Sequence, residues 1–340
     1  MTYRAAIVGA GAPIAKTNAN LEGFSIGYSH ARGYLAHPEV EIVAIADINE
    51  SNAQALAVFV GGASAYTSLS ELLTNQQIDI LSVCTWPTLH CEMVLTAIEA
   101  GVRIILCEKP MAVSLGEIDR MIEAADSAGA RLFVNHQRRY EQPYAGARRL
   151  IDDGHLGDLL RIEGYVGDGW DLMSWGSHWV DMARFFNSGQ DISWVFAAAD
   201  QTGNVRYGHY VEDQMLLQFG FENGTLTVVH TGPHTTGAGL IVTGSNGTMH
   251  LSSQSATVAL RGDSSGLQQK YLGIEPDSPN GFVEAIADII ASTHAGTASL
   301  IDGTSGRVDT EVIMAAYASA KDGHVKRFPL VDRATNIRAN

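Results

Sequence analysis

Short apolar, β-branched runs alternate with helical patterns through the first 135 residues, and this alternation admits very few folds. The runs fall at residues 4–8, 41–46, 79–84, 102–107 and 131–135. The spacers between them carry helix punctuation. Ser68 with Glu71, and Ser114 with Glu117, have capping-box spacing, while Gly101 and Gly129 fall where helices stop. Strands separated by helices pair in parallel through right-handed crossovers, so this part is expected to be a doubly wound α/β Rossmann domain.

After about residue 150 the texture changes. Longer alternating runs at 214–221 and 225–231 are joined by Glu222-Asn223-Gly224, a hairpin turn, and Ser245-Asn246-Gly247 marks a second. With helical patterns at 281–293 and 305–322, the rest reads as an α+β domain with a large, mostly antiparallel open sheet. A chain of 340 residues suits two domains, and the expected division is 1–136 and 137–340.

Composition narrows the partners. Hydrophobic residues make up 46% of the chain, enough for packed cores, and the net charge of −15 argues against nucleic acid or an anionic membrane surface. Small molecules are the expected partners. The first strand run begins at Tyr3 with no basic segment and apolar stretch before it, and no apolar run is long enough to span a bilayer, so a cytoplasmic location is expected. The cysteines are three, Cys84, Cys91 and Cys107; an odd number, two of them in strand runs, suits buried thiols in a reducing compartment. A zinc site from these and His90 would have no familiar spacing, so no metal is expected.

Gly9-Ala10-Gly11, followed by Ala12, comes directly after the first strand run, where a chain that binds a dinucleotide must turn tightly against the pyrophosphate. The third glycine of the compact fingerprint would fall at Ile14. Instead the motif is interrupted and resumes at Gly27-Tyr28-Ser29-His30, with a helix over 31–36 and an insertion of about 13 residues carrying Lys16, Asn18, Asn20 and Gly23. The insertion either borders the ligands or is a solvated loop. Asp47 ends the second run, and no Arg or Lys follows closely. A carboxylate there accepts from adenosine ribose hydroxyls and repels a 2′-phosphate, so NAD is preferred over NADP; the competing reading is a helix cap.

Thr85-Trp86-Pro87-Thr88-Leu89-His90 and Cys107-Glu108-Lys109-Pro110 follow the next two strand runs. With the glycine start, and with 135–140, Gly176-Ser177-His178-Trp179-Val180-Asp181, Glu212-Asp213 and 243–247, the chain resembles the Gfo/Idh/MocA family of glucose-fructose oxidoreductase and inositol dehydrogenase type. The resemblance covers nearly the whole chain. It implies a cofactor site that includes Gly9, Gly11, Ala12, Tyr28, His30, Asp47, Thr85, Trp86, His90, Glu108 and Lys109. By the same resemblance Lys109 contacts the reacting oxygen, where an ammonium stabilises developing charge, and His178 accepts the proton. Asp181 either orients that ring or is an exposed helix residue. Many relatives have Asp four residues before this histidine, where this chain has Ser174. Asp171 or Asp168 then substitutes, or the substrate contacts differ.

Trp86, Tyr140, Trp170, Trp175 and Trp179 suit the apolar faces of a sugar or cyclitol ring, though each is also a candidate core residue. Arg138 and Arg139 can bind a carboxylate or serve the fold. The expected substrate is a small polyhydroxylated molecule, contacted by Lys109, Arg138, Tyr140, Trp170, Ser174, Trp175, His178 and Asp181. The resemblance also implies a homodimer or homotetramer, and it leaves two other activities open: tightly bound NAD assisting glycoside cleavage or internal redox, and a non-catalytic NAD-binding regulator.

Overall fold

The computed structural model describes residues 2–13, 26–234, 236–252, 255–262, 266–272, 280–331, 333 and 335–339. These form two compact units: Met1–Gln137 with Asn280–Arg307, and Arg138–Pro279 with Val308–Asn340. No described helix is long and apolar enough to cross a membrane.

The first unit runs β1 (Tyr3–Val8), α1 (Ile26–Leu35), β2 (Val40–Ala46), α2 (Glu50–Phe59), β3 (Ser64–Tyr66), α3 (Leu69–Asn75), β4 (Ile80–Val83), α4 (Pro87–Glu99), β5 (Ile104–Cys107), α5 (Leu115–Ala128) and β6 (Arg131–Val134). Its six strands are all parallel, in the order β3-β2-β1-β4-β5-β6. This is the doubly wound order, with its crevice at the carboxyl ends of β1 and β4 where successive connections leave in opposite directions. The central strands are covered on both faces, and Ile7, Ile45, Leu81 and Ile105 are fully buried. Both expected caps form. Ser68 Oγ accepts from Glu71 N at 3.2 Å and Ser114 Oγ from Glu117 N at 3.3 Å, while each glutamate reaches back to the N–H before the cap. At three residues, β3 has too little pattern to be read from sequence.

The second unit runs α6 (Gln142–Asp152), β7 (Leu159–Val166), a π turn (Leu172–Gly176), α7 (Ser177–Phe186), β8 (Ile192–Asp200), β9 (Val205–Arg206), β10 (His209–Tyr210), β11 (Gln214–Phe221), β12 (Leu226–Thr231), β13 (Ala238–Gly244), β14 (Gly247–Leu251), β15 (Ala256–Gly262) and β16 (Gly266–Leu272); α8 (Gly281–Ala295), α9 (Gly303–Asp322) and β17 (Lys326–Arg327) complete the chain. The nine-stranded sheet is ordered β16-β15-β14-β13-β7-β12-β11-β8-β17, antiparallel except between β7 and β12. Residues alternate between its faces. Ile162, Gly164, Leu217, Val229 and Leu240 lie under helices, and a Cβ at Gly164 would meet Trp179 of α7 at 2.9 Å. Trp194, Phe196, Leu216, Val228 and Ile241 lie on the other face, all partly or largely exposed.

The expected division assigned everything after residue 136 to the second domain. Residues 280–307 pack instead with the first unit. Gly33 lets α1 approach α8 so closely that a Cβ would lie 2.9 Å from Phe282 O, and Arg131 at the start of β6 donates to Thr297 O at 2.8 Å. Helix α1 also begins at Ile26, earlier than a helix over 31–36, and so carries the whole Gly27-Tyr28-Ser29-His30 segment.

Candidate active site

The end of β1 is a backbone cradle. Gly9 and Gly11 have φ of +90° and +69°, a region that favours glycine, and a Cβ on Gly9 would lie 2.7 Å from the Cys84 carbonyl group and 2.8 Å from Thr85 N. Gly27 closes the other side, since a Cβ there would lie 2.7 Å from Ala10 O. The third-glycine role, close packing of helix on strand, thus passes to the residue where the interrupted motif resumes. A cradle of bare backbone at the crevice, with a helix starting beside it, is what a dinucleotide pyrophosphate requires, so the residues fit that cofactor. Lys16, Asn18, Asn20 and Gly23 of the insertion lie outside the described residues.

Asp47 lies at the end of β2, partly exposed. Its Oδ2 accepts from Gly11 N at 3.0 Å and its Oδ1 from Asn49 N at 2.9 Å. The helix-cap reading does not hold: α2 is capped by Asn49, whose side chain accepts from Ser51 N. Ile48, next to Asp47, is 95% exposed, an apolar surface that sequence reasoning passed over.

Beneath the cradle runs a buried polar chain. Tyr34 OH meets Ser82 Oγ at 2.6 Å, Ser82 Oγ meets His30 Nδ1 at 2.8 Å, and His30 Nε2 meets Glu108 Oε1 at 2.8 Å. One assignment satisfies every link: tyrosine donates to serine, serine to Nδ1, and Nε2–H to the carboxylate. Asn135 Nδ2 donates to the same oxygen at 2.6 Å, and Lys109 N to Glu108 Oε2 at 3.1 Å. Burial works to raise the Glu108 pKa, but His30, Lys109 and Asn135 outweigh it and hold the carboxyl below its usual value. Both His30 nitrogens are engaged inside the unit, by Ser82 and Glu108, and the residue is 0% exposed.

His90 works similarly. On α4 and fully buried, it places Nδ1 3.0 Å from Pro110 O and Nε2 3.0 Å from Thr85 O, bridging the loops that follow β4 and β5. Burial lowers its pKa, so the neutral ring donates to one carbonyl at a time. Lys109, in a cis peptide with Pro110, is held from both sides, by Glu108 at its own N–H and by His90 through Pro110. Trp86 precedes α4 and is 57% exposed, whereas Tyr28 is buried against Phe59. Cys84, Cys91 and Cys107 are free and buried, and burial pushes the thiols of Cys84 and Cys107 well up.

Of the candidate residues of the second unit, Ser174 and Trp175 lie on the π turn and His178 and Asp181 on α7, with Arg138, Tyr140 and Trp170 outside both. His178 is the second residue of α7, 4% exposed, with Trp175 edge-on at 5.6 Å. Trp175 also lies 6.1 Å from Trp179, and the Arg138 guanidinium sits 4.6 Å from the Trp175 ring and 5.4 Å from that of Trp179. Trp179 is a core residue that donates to Tyr165 O; Tyr140 and Trp170 are partly exposed, the latter under the Arg206 guanidinium at 4.8 Å.

Asp181 is fully buried, so the exposed reading fails. Its Oδ1 accepts from Arg139 Nε at 2.9 Å and Nη2 at 2.5 Å, and Arg139 lies 3.9 Å from Asp309, which pairs with Arg184. Arg139 is therefore tied to two buried carboxylates, and Asp309 is a member no sequence pattern announced. Of the two proposed substitutes for the missing acid, Asp171 is committed to the fold: Oδ1 caps Ser174 N at 2.7 Å and Oδ2 pairs with Arg206. Asp168 is exposed and accepts from Gly237 N at 2.9 Å.

Two family models match the chain: an oxidoreductase family with an NAD-binding Rossmann fold over residues 4–136, and the GFO/IDH/MocA C-terminal domain over residues 144–250. A myo-inositol 2-dehydrogenase of Thermotoga maritima is 23% identical over 89% of this chain and 94% of its own length. Among solved structures, levoglucosan dehydrogenase in complex with NADH superposes with a TM-score of 0.82 at 19% identity, covering 97% of this chain and all of that one. An oxidoreductase from Agrobacterium radiobacter in complex with NAD+, L-tartaric acid and magnesium gives 0.81 at 18% identity, covering 96% and 98%.

Proposed function

The chain belongs to the Gfo/Idh/MocA oxidoreductases, an NAD-binding family, and from that premise we propose that it dehydrogenates a secondary or hemiacetal hydroxyl of a sugar, sugar derivative or cyclitol. The observation that carries this reading is the way the Glu108 network and His90 hold Lys109 at the carboxyl end of β5, beside the glycine cradle of the same sheet.

NAD, when bound, supplies the hydride acceptor. Gly9, Gly11, Ala12 and the start of α1 hold its pyrophosphate, Asp47 accepts from the adenosine ribose, and Ile48 offers the adenine an apolar surface. Lys109 stabilises negative charge on the substrate oxygen, and His178 takes the hydroxyl proton at an imidazole nitrogen. Glu108, His30 and His90 position Lys109 rather than touch the ligands. Trp175 and Arg138 line the substrate's surroundings, and with Asp171 committed elsewhere, the substrate contacts are expected to differ from those of relatives that carry the acid.

The test is a screen of aldoses, anhydrosugars, sugar acids and inositols, each with NAD and with NADP. Turnover is expected on at least one polyol, faster with NAD; activity on none of them despite tight NAD binding would favour a regulator. Replacing Asp47 with Asn should narrow the preference for NAD over NADP.

We also propose a homo-oligomer formed on the open sheet face. Trp194, Phe196, Leu216, Val228 and Ile241 put aromatic and aliphatic surface there that a monomer would leave wet. Sedimentation should show a dimer or tetramer, and Leu216→Lys with Val228→Lys should shift it to monomer; a wild-type monomer at micromolar concentration refutes this.

A further inference from the structure

The turn that precedes His178 is held by groups the reaction does not use. Leu172 N donates to Glu212 Oε1 at 2.6 Å, and Ser174 N donates to Asp171 Oδ1 at 2.7 Å. Two of the first three N–H groups of the turn, which a helix start otherwise leaves open, are thus met by buried carboxylates. Glu212 is the hub. It is 3% exposed, its Oε1 also accepts from Thr231 Oγ1 at 2.8 Å, and its Oε2 meets Tyr317 OH at 2.5 Å. It thereby ties the turn to β12 and α9, and what it holds in place is the segment carrying Ser174, Trp175 and, at its end, His178.

We propose that Glu212, itself anchored by Tyr317 and Thr231, is a positioning residue for His178 that fixes the π turn through Leu172, and that its ionisation sets how well His178 accepts a proton. The second clause rests on the proton-acceptor reading of His178 above; the first does not. Burial first, and the Asp171 carboxylate second, push the Glu212 pKa up to about 7. The ionisable groups that act on it are Asp171, whose charge is shared with Arg206, and Tyr317, pushed up by burial and by Glu212; beyond them, against Asp171 and Arg206, come His209, lowered by burial, and Tyr207, raised by burial. As pH rises through 7 the ionised Glu212 accepts from Tyr317 and adds negative charge at the amino end of the turn, where the N–H groups point. Below 7 the protonated carboxyl donates to the phenol and that charge is gone. Ionised Glu212 stabilises the imidazolium that His178 becomes on taking the proton, so His178 is the stronger proton acceptor above pH 7.

Glu212→Gln separates the two forms. The amide oxygen keeps both acceptor bonds, its NH2 faces Tyr317, and the group is neutral at every pH. In the full-length, NAD-loaded protein, NMR of the His178 ring, assigned by comparison with His178→Gln, should show a titration midpoint lowered by about half a pH unit or more relative to wild type. On the best substrate of the screen, kcat at pH 8 should fall roughly tenfold with KM changed less than threefold, and the part of the kcat rise near pH 7 that follows Glu212 should be lost. Melting is the control on folding. A raised carboxyl pKa means the wild type loses stability as pH rises from about 4.5 to 7, so the variant should gain in Tm relative to it over that window.

An unchanged His178 midpoint together with an unchanged kcat profile overturns the proposal, even if the Tm shift is seen, since Glu212 would then serve only the fold. Full turnover by His178→Gln is a different failure: it removes the proton-acceptor reading while a shifted His178 midpoint in Glu212→Gln still supports the positioning role.

Discussion

Lys109→Met is expected to lower kcat by roughly a hundred- to a thousandfold, with NAD affinity within about threefold of wild type. The ammonium is the only group of the Glu108-Lys109-Pro110 loop that can meet negative charge forming on a substrate oxygen, and methionine keeps its length without its charge. The proposed cofactor contacts, the Gly9 cradle and Asp47, follow β1 and β2 and are untouched. Glu108 loses one of the charges that hold its carboxyl ionised, yet keeps His30 and Asn135. His178→Gln should produce a loss of similar size through the proton instead of the oxygen. Stopped-flow hydride transfer and NAD titration by fluorescence measure both. Normal turnover in either variant would sink that residue's role, and a loss confined to NAD affinity would move Lys109 from chemistry to cofactor binding.

The second large effect belongs to Gly9. An alanine there would place its Cβ 2.7 Å from the carbonyl carbon and oxygen of Cys84, backbone atoms of a central strand's end that have nowhere to go, and would hold a residue at φ +90°. Strain of about 1–3 kcal/mol comes from the backbone alone, and the overlap adds to it. Gly62→Ala is the matched control: φ is +111° but nothing lies within 4 Å of the new Cβ, so only the backbone cost remains. Gly9→Ala should therefore melt several degrees lower than Gly62→Ala and lose at least a hundredfold in NAD affinity, whereas Gly62→Ala binds normally. Equal melting and equal binding in the two variants would show that the end of β1 is not a tight cradle.

Legibility varied from one residue to the next for definite reasons. Asp47 stood out as a candidate because a strand end, a carboxylate and the absence of nearby cations are local facts, and the structure gives the helix-cap role to Asn49. Gly27 was readable as the resumption of a broken motif, though only the packing against Ala10 O shows which glycine task it performs. His30 and His90 looked like cofactor ligands because they stand in motif positions. Their nitrogens turn out to be taken by Ser82, Glu108, Thr85 and Pro110, partners 5 to 78 residues away in the chain. Asp181, one turn after His178, accepts from Arg139, a partner the sequence did not announce, because a helix repeat says which residues share a face and not what that face meets.

By itself the sequence determined the parallel sheet, the caps, the hairpins and the loops that bear Gly9, Asp47 and Lys109, since periodicity, capping and turn chemistry act over a few residues. Only the tertiary structure decided that residues 280–307 pack with the first unit, that Asp171 is spent on the fold, and that Glu212 stands under the turn leading to His178. Those outcomes depend on which buried polar groups find one another across the core. A buried donor or acceptor must be satisfied by whatever the fold brings near, and no local pattern names that partner in advance.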